Sequence, residues 1–238
     1  MKIAALLTAR AGSKSVPNKN LYPFNGKPLY LYNVAHALAI PSIEKLYIST
    51  NLPEIIQACQ KTQNEKLRLI IRPETLCQDS SSHHHAILHG LEQIEKDIGQ
   101  VDILIVLLGN TPHAYTEDLD KAIQGFITCF DNYDSCMSVS KMNCFNPFRA
   151  FHQLDNGTIV PIIDSRITNF LANRKNQNDK DAYGDIYYFT GSFWIIKRET
   201  LIKNDGKSVF SWLGNRIMPY IQPEGYMEID AFWQLKLL

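Results

Sequence analysis

The chain has no surplus of charge of either sign, since 24 Lys and Arg balance 24 Asp and Glu over 238 residues. That balance removes the general electrostatic case for a nucleic-acid partner or an anionic membrane surface. No apolar run approaches the roughly 20 residues of a membrane span, and the first residues enter a strand pattern instead of a signal peptide. The five cysteines (Cys59, Cys77, Cys129, Cys136, Cys144) are scattered, odd in number and without C-x-x-C spacing. They argue against a disulfide or zinc framework and read as reduced thiols of a cytoplasmic protein. Internal repeats and low-complexity tracts are also missing. What remains is ordinary globular composition, 45% hydrophobic and 20% charged, in a chain long enough to bury a sizeable core.

Apolar runs alternate with amphipathic stretches through the first 140 residues. Strands are expected at 2–8, 44–50, 67–71, 102–108 and 135–140, with helices near 28–39, 53–63, 82–97 and 116–130. Pro53 and Thr116 are start signals, and Leu119, Ile123 and Phe126 give the last helix an apolar face. This alternation predicts an α/β chain: a Rossmann-like, three-layer domain over 1–238 with a mostly parallel central sheet. The pattern changes near residue 141. Residues 142–183 hold turn signals such as Asn156-Gly157, several aromatics and a polar run, Asn173–Asp181. They read as a small excursion after the fifth strand, a hairpin joined to either a disordered stretch or a substrate-ordered lid. Residues 185–196 then restore a long strand containing one glycine.

The most informative segment is the loop after the first strand, Ala9-Arg10-Ala11-Gly12-Ser13-Lys14-Ser15-Val16-Pro17-Asn18-Lys19-Asn20. It carries three cations, a glycine and several hydroxyl or amide groups, and no carboxylate. Glycine lets backbone approach an anion, N–H groups can turn inward, and Arg10, Lys14 and Lys19 neutralise charge. Its place at a strand's C-terminal end is where open α/β sheets bind ligands. The spacing matches neither the P-loop nor the dinucleotide fingerprint. The reading is therefore a polyphosphate site of another kind, set against an ordinary basic β–α loop.

A polyphosphate site calls for carboxylates to hold Mg²⁺ with the phosphate oxygens. Glu228-Ile229-Asp230 is the candidate pair, because in extended chain residues two apart share a face while Ile229 turns to the core. The competing reading has the two acids capping a terminal helix over 231–238. His83-His84-His85 and His89 invite a metal reading too, but nothing supplies the carboxylate of an HExxH-type site. They are expected at the surface or lining a pocket.

IAALLTARAGSKSVPNKNL resembles the N-terminal signature of the cytidylyltransferases that activate acidic sugars. This is the CMP-sialic acid synthetase (acylneuraminate cytidylyltransferase) family, with its pseudaminate, legionaminate and Kdo relatives. The resemblance implies that Ala9, Arg10, Gly12, Ser13, Lys14 and Asn20 bind nucleotide, and that Arg10, Lys14 and Lys19 are catalytic. Arg72-Pro73-Glu74 is similar to the family's Arg-Pro segment beside cytosine, where a guanidinium can donate to a pyrimidine carbonyl. Ser80-Ser81-Ser82 resembles the polar stretch that meets base or ribose, which assigns Ser81 and Ser82 there; Ser82 also suits a helix N-cap. Asn51 stands where relatives often carry Asp.

Leu107–Pro112 resembles the family's Leu-Gln-Pro-Thr-Ser-Pro, with Leu108 and Gly109 replacing its Gln and Pro and His113 following. Asn110 and Thr111 keep the polar pair that faces the sugar. Arg174 matches a sugar-binding Arg, and Thr190-Gly191-Ser192 resembles the Asn-Gly of a later strand. Glu228 and Asp230 match the family's acidic pair, which has Asp at both places. The resemblance thus implies a nucleotidyltransferase fold, Mg²⁺, CTP and a small acidic sugar, and a homodimer through the aromatic-rich 142–170 region (Phe145, Phe148, Phe151, Phe170).

The expected reaction is transfer of CMP from CTP to the sugar with release of pyrophosphate. Two rivals stand beside it. A GT-A glycosyltransferase would place its acidic pair just after a central strand, where no DxD occurs. A nucleotide-binding protein without turnover would suit the altered 107–113 segment, though the Arg10, Lys14, Lys19 set opposes it.

Overall fold

The first apolar run forms β1 (Ile3–Ala9), every residue of which is buried. The computed structural model describes residues 1–164, 166, 181, 184–204 and 206–236. The expected strands follow as β2 (Lys45–Thr50), β3 (Leu67–Ile71), β4 (Ile103–Leu108), β5 (Ser135–Lys141) and β6 (Tyr187–Lys197). Sequence patterning missed β7 (Ile217–Gln222), whose Pro219 weakens any strand signal. A proline is tolerated there because β7 pairs only with β5 and so forms a sheet edge.

The seven strands pair in the order β7-β5-β6-β4-β1-β2-β3. β6 runs antiparallel to both its neighbours, while the other pairings are parallel. Helices α1 (Tyr30–Leu38), α2 (Pro53–Lys61) and α4 (Thr116–Thr128) cover one face; α3 (His83–Ile98) covers the other. Alternate residues of β1 serve the two cores: Ile3, Ala5 and Leu7 share one with Val34 and Ile123, while Ala4 and Leu6 share the other with Ile87 and Leu91. Side chains such as Leu7 and Ile87 are fully buried, each stabilising the layers by about 1.5–3 kcal/mol. Pro53 opens α2 at its first turn, and Glu117 and Asp118 sit in the first turn of α4, favourable to its dipole. A short α5 (Arg198–Lys203) was not expected.

The excursion after β5 does contain a hairpin, Phe151–Gln153 against Ile159–Pro161, turning at Asn156-Gly157. Among the described residues no helix is long and apolar enough to cross a membrane. The terminal helix expected over 231–238 is a single 3₁₀ turn, Gln234–Lys236, within the described part. Gln234 supplies the local cap, its Oε1 accepting from the Asp230 and Ala231 N–H groups at 2.7 and 2.6 Å. Neither acid of the 228–230 pair is needed for that purpose.

Candidate functional site

β1 and β4 pair in register up to Thr8 beside Leu108, and β1 and β2 up to Ala9 beside Thr50. Their C-terminal ends therefore open onto one edge, and the loops beyond them surround a cavity of about 390 Å³. Arg10, Lys19, Asn20, Arg72, Ser81, Ser82, Asn110 and Glu228 all line it. These eight come from six separate stretches of sequence.

The basic loop is fixed from within. Val16 is fully buried, the Asn20 amide donates to the Arg10 carbonyl at 2.9 Å, and the Ala11 N–H donates to Asn51 Oδ1 at 2.8 Å. Asn51 thus anchors the loop from the end of β2. Gly12 takes φ +84°, a left-handed conformation that glycine adopts without strain. Ala9, Gly12, Ser13 and Lys14 shape the loop but are not part of the cavity wall.

The loop itself lacks a carboxylate, but the fold brings one. Asp79 accepts from Arg10 Nη2 at 2.9 Å and pairs with Lys14 Nζ at 2.6 Å. Hydrogen bonds from Lys14 and then Arg10 hold the Asp79 carboxyl below its ordinary range. Sequence reasoning passed over Asp79, although it directly precedes the serine run.

Arg72 is buried behind the cavity, its Nε and Nη2 donating to the Ser49 hydroxyl and carbonyl at 3.0 and 2.9 Å. Burial lowers its pKa to about 10, which leaves it cationic at neutral pH. Ser81 donates to the Thr75 carbonyl at 2.8 Å, and Ser82 precedes α3 without a side-chain cap, so its hydroxyl stays on the cavity wall. Ser82 does stand at the N-cap position of α3, but only its backbone carbonyl caps the helix, accepting from the Ala86 N–H.

Opposite the basic loop, the acidic pair meets Asn110. The Asn110 amide approaches Glu228 Oε2 at 3.4 Å and Asp230 Oδ1 at 3.3 Å, while the Ile229 N–H donates to the Asn110 carbonyl at 2.9 Å. Ile229 is fully buried, as its alternation predicts. Lys19 crosses to pair with Asp230. Burial, and then the neighbouring Asp230 charge, push the Glu228 carboxyl up, opposed by Asn110 and Lys19.

Gly191 makes this approach possible. It sits at φ +80° within the register shift of β6, and a Cβ there would meet the Glu228 Cβ at 2.6 Å and its backbone N at 3.1 Å. Two further expected contacts stand elsewhere. Thr111 is fully buried, its hydroxyl accepting from the His113 N–H at 3.4 Å, and it is not on the cavity wall. Arg174 lies outside the described residues. The wall is completed by residues that patterning did not single out, among them Thr8, Phe189, Trp194 and Phe210. Phe189 and Trp194 stack with centroids 4.1 Å apart across the β6 irregularity. No strand pattern announces that pairing.

The segment after β4, Gly109–Asn110–Thr111, carries no carboxylate; Glu228 faces the cavity from the far end of the chain, and Asp230 stands beside it without lining the wall. A cationic loop, a buried guanidinium and Glu228 around one cavity, with Asp230 next to Lys19 and Asn110 at its edge, suit a nucleoside polyphosphate with a divalent ion.

Comparison with known proteins agrees with that chemistry. The family profile described as Cytidylyltransferase matches residues 4–199. The pseudaminic acid cytidylyltransferase of Campylobacter jejuni subsp. jejuni serotype O:23/36 is 25% identical over 213 residues, 88% of this chain and 87% of that protein. The N-acylneuraminate cytidylyltransferase of Escherichia coli O18:K1:H7 is 26% identical over 68% of this chain and 36% of its own length. Among solved structures, a CMP:2-keto-3-deoxy-manno-octonic acid synthetase complexed with CTP superposes with a TM-score of 0.68 at 18% identity, covering 99% of this chain and 96% of the other. That likeness shows the fold.

Proposed function

The chain belongs to the cytidylyltransferase family, and from that premise we infer that it transfers CMP from CTP to a nonulosonic-type acidic sugar, releasing pyrophosphate. The observation that carries the reading is the convergence of Arg10, Lys19, Arg72, Asn110 and Glu228 on one cavity at the sheet's C-terminal edge. The relatives named for pseudaminic and N-acylneuraminic acids support the choice of sugar class.

In this reading the base lies toward Arg72, Ser81 and Ser82, and the triphosphate lies along Arg10, Lys14 and Lys19. A sugar hydroxyl oxygen forms a bond to the α-phosphorus as the α–β phosphoanhydride bond breaks. Pyrophosphate leaves, and the hydroxyl proton passes to solvent. Such transfers depend on positioning and on charge stabilisation, which the three cations supply. Asn110 orients both carboxylates and presents its remaining polar surface to the sugar.

The donor set fits Mg²⁺: Glu228 and Asp230 offer hard oxygens close together, and after burial it is the Asp230 charge that raises the Glu228 pKa. When bound, the ion would neutralise phosphoryl charge. Exposed apolar residues on the hairpin, Phe151, Ile159 and Val160, fit a homodimer contact that light scattering would test. The five free cysteines fit a cytoplasmic setting.

The deciding experiment is pyrophosphate release from CTP with a panel of acidic sugars, with mass spectrometry of the product. A CMP-sugar supports the assignment; free CMP or no release with every sugar refutes it.

A further inference from the structure

The histidine run at the start of α3 has no part in that mechanism, and the fold separates its members. His84 is buried with its Nε2 3.0 Å from the Leu201 carbonyl, and His85 is exposed. Only His83 lines the cavity. Its ring lies beside Trp194 and Trp212, with centroids 5.8 and 6.3 Å away, and its Nε2 stands 3.1 Å from Thr8 Oγ1. Burial, and then the charges of Arg72 and Arg10, lower its pKa to about 4. At neutral pH the ring is uncharged, with one donor and one acceptor nitrogen.

The geometry decides which nitrogen is left for a ligand. The Thr8 hydroxyl also faces the Leu107 carbonyl at 3.4 Å. With the hydroxyl proton directed there, Nε2–H donates to Thr8 Oγ1, and Nδ1 carries a bare lone pair. Among the described residues, no protein group bonds Nδ1. Arg72, at the same end of the cavity, has only donors. Donors suit the carbonyl oxygen and ring nitrogen of cytosine, but not its exocyclic amino group, which needs an acceptor.

We propose that His83 completes the pyrimidine site, its Nδ1 accepting a hydrogen bond from the amino group of cytosine while Thr8 holds the ring in the tautomer that allows it. The proposal rests on the CTP reading and deepens it. Uracil presents a carbonyl at that position, so two lone pairs would face each other. A site built around a hydrogen bond rejects the analogue that cannot make it.

The test compares kcat/KM for CTP and UTP, with one sugar, in the wild type and in His83→Ala, His83→Asn and Thr8→Val, alongside their melting temperatures. His83→Ala should lower the CTP/UTP ratio roughly tenfold, mainly through the KM for CTP, as expected for one lost hydrogen bond. His83→Asn retains an accepting oxygen and should keep most of the ratio. Thr8→Val should lower it by a smaller factor, since the ring stays but its tautomer is released. A His83→Ala ratio within twofold of wild type overturns the proposal, as does a wild type that uses CTP and UTP alike. A wild type that releases no pyrophosphate from either nucleotide defeats the CMP-transfer reading instead. In that case the ratio of CTP to UTP affinities by calorimetry still decides for or against His83.

Discussion

Residues 1–141 and residues 184–236 wall the same cavity by different means. In the first region three site residues follow closely on parallel strands: Arg10 after β1, Arg72 after β3 and Asn110 after β4. Position there comes from the general rule that open parallel sheets present ligands at their carboxyl ends. In the second region β6 runs the other way, so its beginning, Phe189 to Trp194, faces the cavity. Glu228 and Asp230 come after an edge strand and are seated by long-range contacts, namely Asn110 below them and the Gly191 gap beside them. The difference teaches that the nucleotide side is a local property of strand ends. The acidic side depends on packing between distant segments.

The sharpest test of that contrast is Asp230→Asn. The amide keeps its shape but removes a charge, so turnover should fall on the order of 10²-fold and demand more Mg²⁺. Stability should hardly move. The variant loses the Lys19 pair, worth up to about 1 kcal/mol in a half-exposed setting, yet relieves repulsion on Glu228. A carboxyl raised in the fold costs stability as pH climbs through its folded value. The wild type should therefore lose stability relative to the variant over that range. A Mg²⁺ titration of activity and melting curves against pH check both. Unchanged turnover would remove Asp230 from the metal role.

Gly191→Ala should harm folding and activity together, which no loop variant should do. Its φ of +80° costs an alanine about 1–3 kcal/mol, and the new methyl meets the Glu228 backbone. Turnover should drop by roughly tenfold alongside a lower denaturation midpoint, because a small misplacement in a positioned site is costly. Loss of stability without loss of turnover would show that the acidic pair tolerates displacement.

Legibility in the sequence divided along similar lines. β1 and β4 were legible because buried strands carry long apolar runs, β2, β3 and β5 because shorter runs alternate with helical patterns, and the basic loop because three cations at a strand end are unusual. The Glu228–Asp230 spacing was visible, since alternation in extended chain is strict. β7 was not, because Pro219 and exposed positions dilute an edge strand's pattern. Asp79 was invisible as a partner of Arg10 because their meeting spans 69 residues and depends on how the segment after β3 folds back. Phe189 on Trp194 depends on an irregularity in β6 that no periodicity encodes.

On the nucleotide side, Lys14→Ala should leave the melting temperature unchanged, for the side chain is 84% exposed. It should lower kcat/KM for CTP by about tenfold, equivalent to roughly 1.4 kcal/mol of transition-state stabilisation. Steady-state kinetics and calorimetry on one preparation read both. A folding defect here would erase the distinction between the two regions.

The smallest effect belongs to Asp79→Asn. Its carboxylate pairs with Arg10 and Lys14, two of the three cations assigned to the triphosphate. A bound polyphosphate must share those cations with Asp79 or displace it, so the carboxylate acts as a competing anion. Removing the charge should lower the KM for CTP up to about threefold, the scale of an exposed ion pair, and tighten inhibition by pyrophosphate by a similar factor. Raising salt should shrink the difference, because exposed charges are screened. Were Asp79 instead needed to hold Arg10 and Lys14 in place, the same variant would raise KM at every salt concentration. The sign of the change in KM, read at two ionic strengths, separates competitor from support.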